Sequence, residues 1–346
     1  MTKVVQEYVD MDTDENKETE TVMNNLEVKV EDEILKEIPE YRKTWNSHDN
    51  TIHKTVIKEG SMKDPRPRFG ATGELKIDLK NVSGLEKSEH LVEDLKISKY
   101  FNVNGNQEFE IGSGTTAIDR AFECSLQSFL PGEISHLSFN VFIENNYNEK
   151  GKTAFEPFWV TVDCKVHLKS LLNADPLYKW YPETKLNKAT EMYLEGVELF
   201  KLGRFLDSFH FFQWAYKLSV FTVGVQKKGK HPGDDTDPTI VAEGLKYQVN
   251  SCNNLAACHF QWKNYKNVVE LSNKVLAKQP GLVKALYRRG VSYLELNEFD
   301  LAEKDLIAAH KTDPANRAVN EKLGQAKQRK KATQAEMSKN LSKMFA

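Results

Sequence analysis

The feature that most constrains this chain is a 34-residue period in its C-terminal third. Ala256 and Gly290 stand one period apart, as do Tyr265 and Phe299, and Pro280 and Pro314. The later copy, L-Y-R-R-G-V-S-Y-L-E-L-N-E-F-D-L-A-E-K-D-L-I-A-A-H-K-T-D-P, sets the small residues Gly290, Ala302 and Ala309 among the aromatic Tyr293 and Phe299. Such a period describes one helix–turn–helix unit. A unit of that size buries its apolar face only by stacking on a neighbour. A more diverged first copy has Gly196, Phe205 and Ala215 at the corresponding places. Gly196 and Ala256 lie 60 residues apart, so this copy carries an insertion of 26 residues. The insertion falls around V-G-V-Q-K-K-G-K-H-P-G-D-D-T-D-P, a polar, Gly/Pro-rich loop that joins a lengthened helix pair.

The residue types at these positions resemble the tetratricopeptide (TPR) family. That resemblance implies three repeats over 184–316 and a concave surface that binds peptides. The segment 317–346 reads as a terminal helix that caps the stack, because the last repeat would otherwise expose its stacking face. Leu323, Met337, Leu341 and Met344 supply its apolar contacts, and Lys327, Arg329, Lys330 and Lys331 its solvated stretch.

Toward the N-terminus the pattern changes. Residues 1–40 are acidic and poor in aromatics, which reads as a disordered tail with a short helix feasible around Glu31–Lys36. Over 45–172, I-H-K-T-V-I-K-E-G, G-E-L-K-I-D-L-K, Q-E-F-E-I-G, I-S-H-L-S-F-N-V-F-I and F-W-V-T-V-D-C-K-V-H-L alternate as half-buried antiparallel strands do. Among them, Ile118, Phe122, Leu126 and Phe129 fall at helical spacing. The fold class is therefore α+β, an antiparallel sheet with one helix, followed by an all-α repeat domain.

The order of these motifs resembles the FKBP-type peptidyl-prolyl isomerases. The run V-I-K-E-G, then P-R-P-R-F-G, resembles the family's opening strand and turn; F-E-I-G matches the strand before the helix, and L-P-G-E-I-S-H-L-S-F the turn and strand after it. Together the two halves have the layout of the FKBP-type immunophilins with TPR repeats, nearest to their divergent, FKBP-like co-chaperone branch.

That family twists an X–Pro amide in a dry aromatic pocket, whereas here the matching positions are poorly filled. Leu79 lies where a Tyr is implied, Phe122 stands in for a Trp, Cys164 falls at an aromatic position, and Tyr147 is the candidate loop tyrosine. Without the aromatic box, binding that favours the transition state has little to act through. The expectation is a degenerate domain with no catalytic residues.

The family's TPR groove holds a C-terminal carboxylate with Lys, Asn, Asn, Lys and Arg on successive inner helices. By the repeat register Lys284 and Arg288, four apart on one helix face, fill the last two positions, and Asn254 the middle one. Tyr193 and Val197 occupy the first two. The clamp is partial.

Other chemistries find little support. Gly224-V-Q-K-K-Gly229-Lys230 has phosphate-loop spacing, but His231 replaces the Ser/Thr and the run follows a helix. The four cysteines form no CxxC pair and show no zinc spacing, and the net charge of −2 argues against nucleic acid. The N-terminus lacks an apolar signal core, and no run is long enough to span a membrane. The sequence expectation is a cytoplasmic protein, with nuclear entry open, that uses no metal or cofactor. It is expected to bind the C-terminal tail of a ninety-kDa heat-shock chaperone and client proteins, without contacting nucleic acid or membrane. A low-efficiency isomerase and a scaffold that binds an unrelated peptide are the alternatives.

Overall fold

The computed structural model describes residues 43–84, 97–102, 104–143, 158–223 and 237–344, together with residues 39 and 95. The acidic segment ahead of residue 39, the Glu31–Lys36 helix, Tyr147, the Gly224–Lys230 run and the side chains of Leu341 and Met344 lie outside the described residues. Two compact units divide the chain, one ending at Asp175 and the other taking up the chain from Pro176.

The first unit holds strands β1 (Thr44–Asn46), β2 (Ile52–Lys58), β3 (Thr72–Ser83) and β4 (Gly105–Glu110), helix α1 (Ala117–Leu126), and strands β5 (Ile134–Ile143) and β6 (Phe158–Leu172). They form one antiparallel sheet in the order β1-β2-β5-β6-β3-β4. Strand β5 shows why: Leu137, Phe139, Val141 and Ile143 are buried while His136 and Phe142 face out, the two-residue period of a sheet covered on one side. All five runs read as strands are strands, and the short edge strand β1 joins them.

Helix α1 packs against β5. Its first turn is fixed by a reciprocal cap, with the Thr116 hydroxyl accepting from the Asp119 amide and the Asp119 carboxylate accepting from the Thr116 amide. Phe122, Tyr100, Phe101 and Phe139 form an aromatic centre, with ring centroids 5.1–6.3 Å apart.

The second unit consists of α2 (Pro182–Lys201), α3 (Phe205–Val223), α4 (Pro238–Gln261), α5 (Tyr265–Lys278), α6 (Val283–Glu295), α7 (Phe299–Thr312) and α8 (Arg317–Met344). Helices α2/α3, α4/α5 and α6/α7 pack as pairs, and α2 with α4 and α4 with α6 also touch. Helices α3 and α4, at 19 and 24 residues, exceed the 13–14 residues of α5, α6 and α7. The insertion therefore extends this pair as well as its loop.

Each pair turns in the same way. Gly203, Lys263 and Asn297 all have left-handed backbones, with φ of 79°, 57° and 64°. In each case the next residue's amide reaches back five positions: Arg204 to the Leu199 carbonyl, Asn264 to His259, and Glu298 to Tyr293, at 2.8–3.0 Å. This is the Schellman closure of a helix C-terminus. Just before it, the paired helices come close. A Cβ added to Gly196 would lie 2.8 Å from the Phe212 ring, and one added to Gly290 would lie 2.9 Å from Leu306.

Helix α8 covers the last pair with Val319 and Ala326, both fully buried, and with Leu323. Part of the stretch expected to be solvated is tied down instead. Lys330 bridges Asp300 and Glu303 of α7 at 2.8 and 2.7 Å, and Arg329 lies 3.9 Å from Glu295. Met337, expected to make an apolar contact, is 65% exposed because α8 runs on past its anchored half.

Lysine pays a steric cost in the left-handed region that glycine avoids. Lys263→Gly should therefore stabilise the repeat unit by about 1 kcal/mol, and Gly203→Ala should destabilise it by a similar amount, both read from urea unfolding midpoints. Truncation after Asn316 should lower the melting temperature, because it uncovers the contacts now closed by Val319 and Ala326. An unchanged melting curve would remove the capping role.

Candidate functional site

In the first unit, the described residues matched to the isomerase pocket lie in the core or packed against it. Phe122 is fully buried and Cys164 nearly so; Cys164 pairs across the strands with Leu79, which is half-buried against the same core. Burial, helped by Asp163, pushes the Cys164 thiol pKa well above its usual value.

The sequence reading missed what fills the space beside Phe122. The Glu123 carboxylate, 5% exposed, accepts the Tyr100 hydroxyl at 2.7 Å and the amides of Gly112, Ser113 and Gly114 at 2.7–3.1 Å. Asp119, one turn earlier, accepts the Ser98 hydroxyl at 2.5 Å and the Lys99 amide at 3.1 Å. Two carboxylates of one helix thus hold the segments 98–100 and 112–114. Burial raises the Glu123 pKa above its ordinary 4.5 and outweighs the donors, which act to lower it. A Glu on an otherwise ordinary helix gave no sign of this role in the sequence.

A second buried pair, Lys54 with Glu133 at 2.8 Å, sits where Lys54 also donates to the Ser128 carbonyl past the end of α1. It borders a cavity of about 150 Å³ walled by Trp45, Val56, Met62 and Leu130.

In the second unit, the predicted clamp residues fall on α2, α4 and α6, the first helix of each pair. Arg288 is half-buried. Its Nη1 donates to the Asn253 carbonyl at 3.2 Å and to the Asn253 Oδ1 at 2.8 Å, across the α4–α6 contact. Burial pulls its pKa down from the usual value, but a guanidinium stays charged at neutral pH. Lys284 lies exposed one turn before it, and Asn254 is half-buried on α4. Asn253, which the repeat register passed over, is the residue that orients Arg288.

Tyr193, on α2, makes aromatic contacts. Its ring lies 5.4 Å from that of Tyr247 on α4, edge to face, and 5.9 Å from Phe212. Val197 packs half-buried into the same cluster. The first third of the clamp is therefore an aromatic surface. Among the described residues, no cluster of His, Cys, Asp and Glu is arranged to hold a metal, and no helix is long and apolar enough to cross a membrane.

Residues 45–169, which cover this sheet and helix, match the family described as "BDBT FKBP like N-terminal". The first unit is an FKBP-like domain. In a separate comparison the chain is 27% identical over 241 residues to peptidyl-prolyl cis-trans isomerase FKBP4 of Rattus norvegicus, covering 68% of this chain and 49% of that protein. It is 39% identical over 93 residues to the FK506-binding protein-like protein of the same species, 27% of each chain. The chain thus spans about half the length of the FKBP4 relatives it matches. Among solved structures it is similar to residues 1–211 of CG17282, at 21% identity and a TM-score of 0.47 over 64% of this chain and 95% of that one. The chain therefore joins an FKBP-like domain to a run of helix pairs, and over two thirds of its length it is similar to the FKBP4 isomerases.

Glu123→Ala would leave the Tyr100 hydroxyl and three amides without their acceptor, so it should destabilise the FKBP-like domain by at least about 3 kcal/mol. The folded-state pKa of Glu123 is raised, so its contribution is fully present below its unfolded value and declines as pH rises through its folded value. The stability difference between wild type and Glu123→Ala, followed by urea unfolding, should accordingly be largest in acid and shrink toward neutral pH.

Proposed function

We propose that the chain is a non-enzymatic adaptor of the co-chaperone type, whose TPR groove grips the free C-terminal carboxylate of a partner while the FKBP-like domain presents client proteins. The observation that carries this reading is Arg288. It is a charged guanidinium held half-buried by Asn253, with Lys284 one turn away on the same face and Asn254 on the neighbouring helix. Cationic and amide donors converging from adjacent helices suit a carboxylate, which accepts charge-assisted hydrogen bonds. The family resemblance makes the tail of a ninety-kDa heat-shock chaperone the leading ligand. With Tyr193 in place of the first cation, this clamp should hold an acidic tail about tenfold more weakly than a complete one.

Absence of isomerase activity is supported by the packing around Phe122, where Tyr100, Phe101 and Phe139 leave the ring no exposed surface for a substrate amide. The similarity to FKBP4 keeps one alternative in view, a domain that isomerises prolyl bonds slowly.

Titration of the full chain with a chaperone-tail peptide should give binding that is lost when the peptide's C-terminus is amidated. Lys284→Glu and Arg288→Ala should abolish binding of the free acid, and Tyr193→Lys should tighten it. Equal binding to the Lys284→Glu and Arg288→Ala proteins would transfer the groove to a scaffold role with another ligand. In a protease-coupled proline-peptide assay, residues 45–172 should show no turnover above background; turnover that Phe122→Ala removes would establish the slow isomerase.

A further inference from the structure

The clamp's two halves differ in chemistry, and the difference points to what the groove reads beyond a carboxylate. Tyr247 and Asn254 are seven residues apart on α4, so they share one face. At 1.5 Å per residue, their separation along the helix is about 10 Å. At one end of that span lies Arg288, tied to Asn253, and Lys284 stands one turn back along α6, level with Asn250 by the 34-residue register. At the other, Tyr193 meets Tyr247 edge to face at 5.4 Å, with half-buried Val197 in the same cluster. An extended peptide covers about 10 Å in three residues.

We infer that the groove selects a C-terminal segment with an apolar or aromatic side chain about three residues before its terminal residue, seated on the Tyr193–Tyr247 pair. This inference rests on the carboxylate-gripping role of Lys284 and Arg288. A carboxylate at that third position would trade water for two aromatic rings, a loss, whereas a Phe or Leu gains by burying apolar area. Partly covered ring pairs with an open edge suit stacking by a third ring. Lys246 lies 5.8 Å over the Tyr247 ring and is itself exposed, so it is a cation, besides Lys284, that an acidic side chain could use instead. The test must separate that possibility.

The experiment measures binding of the full chain, by fluorescence anisotropy, to two labelled seven-residue peptides that end in Asp. The peptides differ only in carrying Phe or Glu three residues before the last, and each is made as the free acid and as the amide. The Phe peptide should bind at least about tenfold more tightly than the Glu peptide as free acids, and amidation should remove both interactions. Tyr193→Phe should keep the preference, Tyr193→Lys should reverse it, and Lys246→Ala should leave it unchanged. Melting curves of each variant confirm folding. Indifference to amidation would overturn the carboxylate reading itself. Binding that needs the free carboxylate but ranks Phe and Glu equally, or ranks Glu first, would overturn the aromatic selection alone. A preference lost in Lys246→Ala would overturn it too, and so would failure of both free acids to bind.

Discussion

Three residues with left-handed backbones hold the repeat unit in shape. Gly203, Lys263 and Asn297 each end the first helix of a pair and let the following amide close back onto that helix. The reversal of direction sends the second helix back along the first, and the glycines at 196 and 290 then allow contact nearly at backbone distance. Once the pairs are set, stacking places α2, α4 and α6 beside one another. A groove residue on one of these helices owes its position to the turns. Its own neighbours in sequence have little influence on it.

The two units solve a common problem with opposite materials. In the repeats, apolar surface is buried chiefly against apolar surface, and the charged groups taken in with it, Arg204 with Asp207 and Arg289 with Asp305, are ion-paired. In the FKBP-like domain, Asp119 and Glu123 project from one helix into the flanking loops, and irregular backbone finds its hydrogen-bond partners there. Buried loop amides need acceptors, and a carboxylate can take several at once. The cost is a carboxylate whose pKa is displaced upward by burial. The same helix buries Phe122 completely in the aromatic centre of the sheet.

Much of this was legible in the chain itself. The 34-residue period sets the helix pairs, because only that spacing returns the same small and aromatic residues to the same contacts. Two-residue alternation in Ile134–Ile143 gives a strand with a wet face and a dry face. Lys284 and Arg288 could be placed on one helix face by their spacing alone. Sequence periodicity reports local geometry well because it is a direct image of helix and strand repeat.

Only the tertiary structure decided which residues meet across elements. Asn253 and Asn254 are adjacent in sequence and alike in chemistry, yet Asn253 is the one that holds Arg288, a choice made by the rotation of α4 against α6. Tyr193 and Tyr247 are brought together across an insertion whose length hides their relation. Lys263 takes a backbone conformation that its side chain disfavours, because the closing hydrogen bond and helix contact outweigh that cost. The sequence by itself determined the period, the element types and the faces of single helices, all set by bonds between near neighbours. The contacts between helices, Arg288 with Asn253 and Tyr193 with Tyr247 among them, depend on packing that the whole fold must satisfy at once.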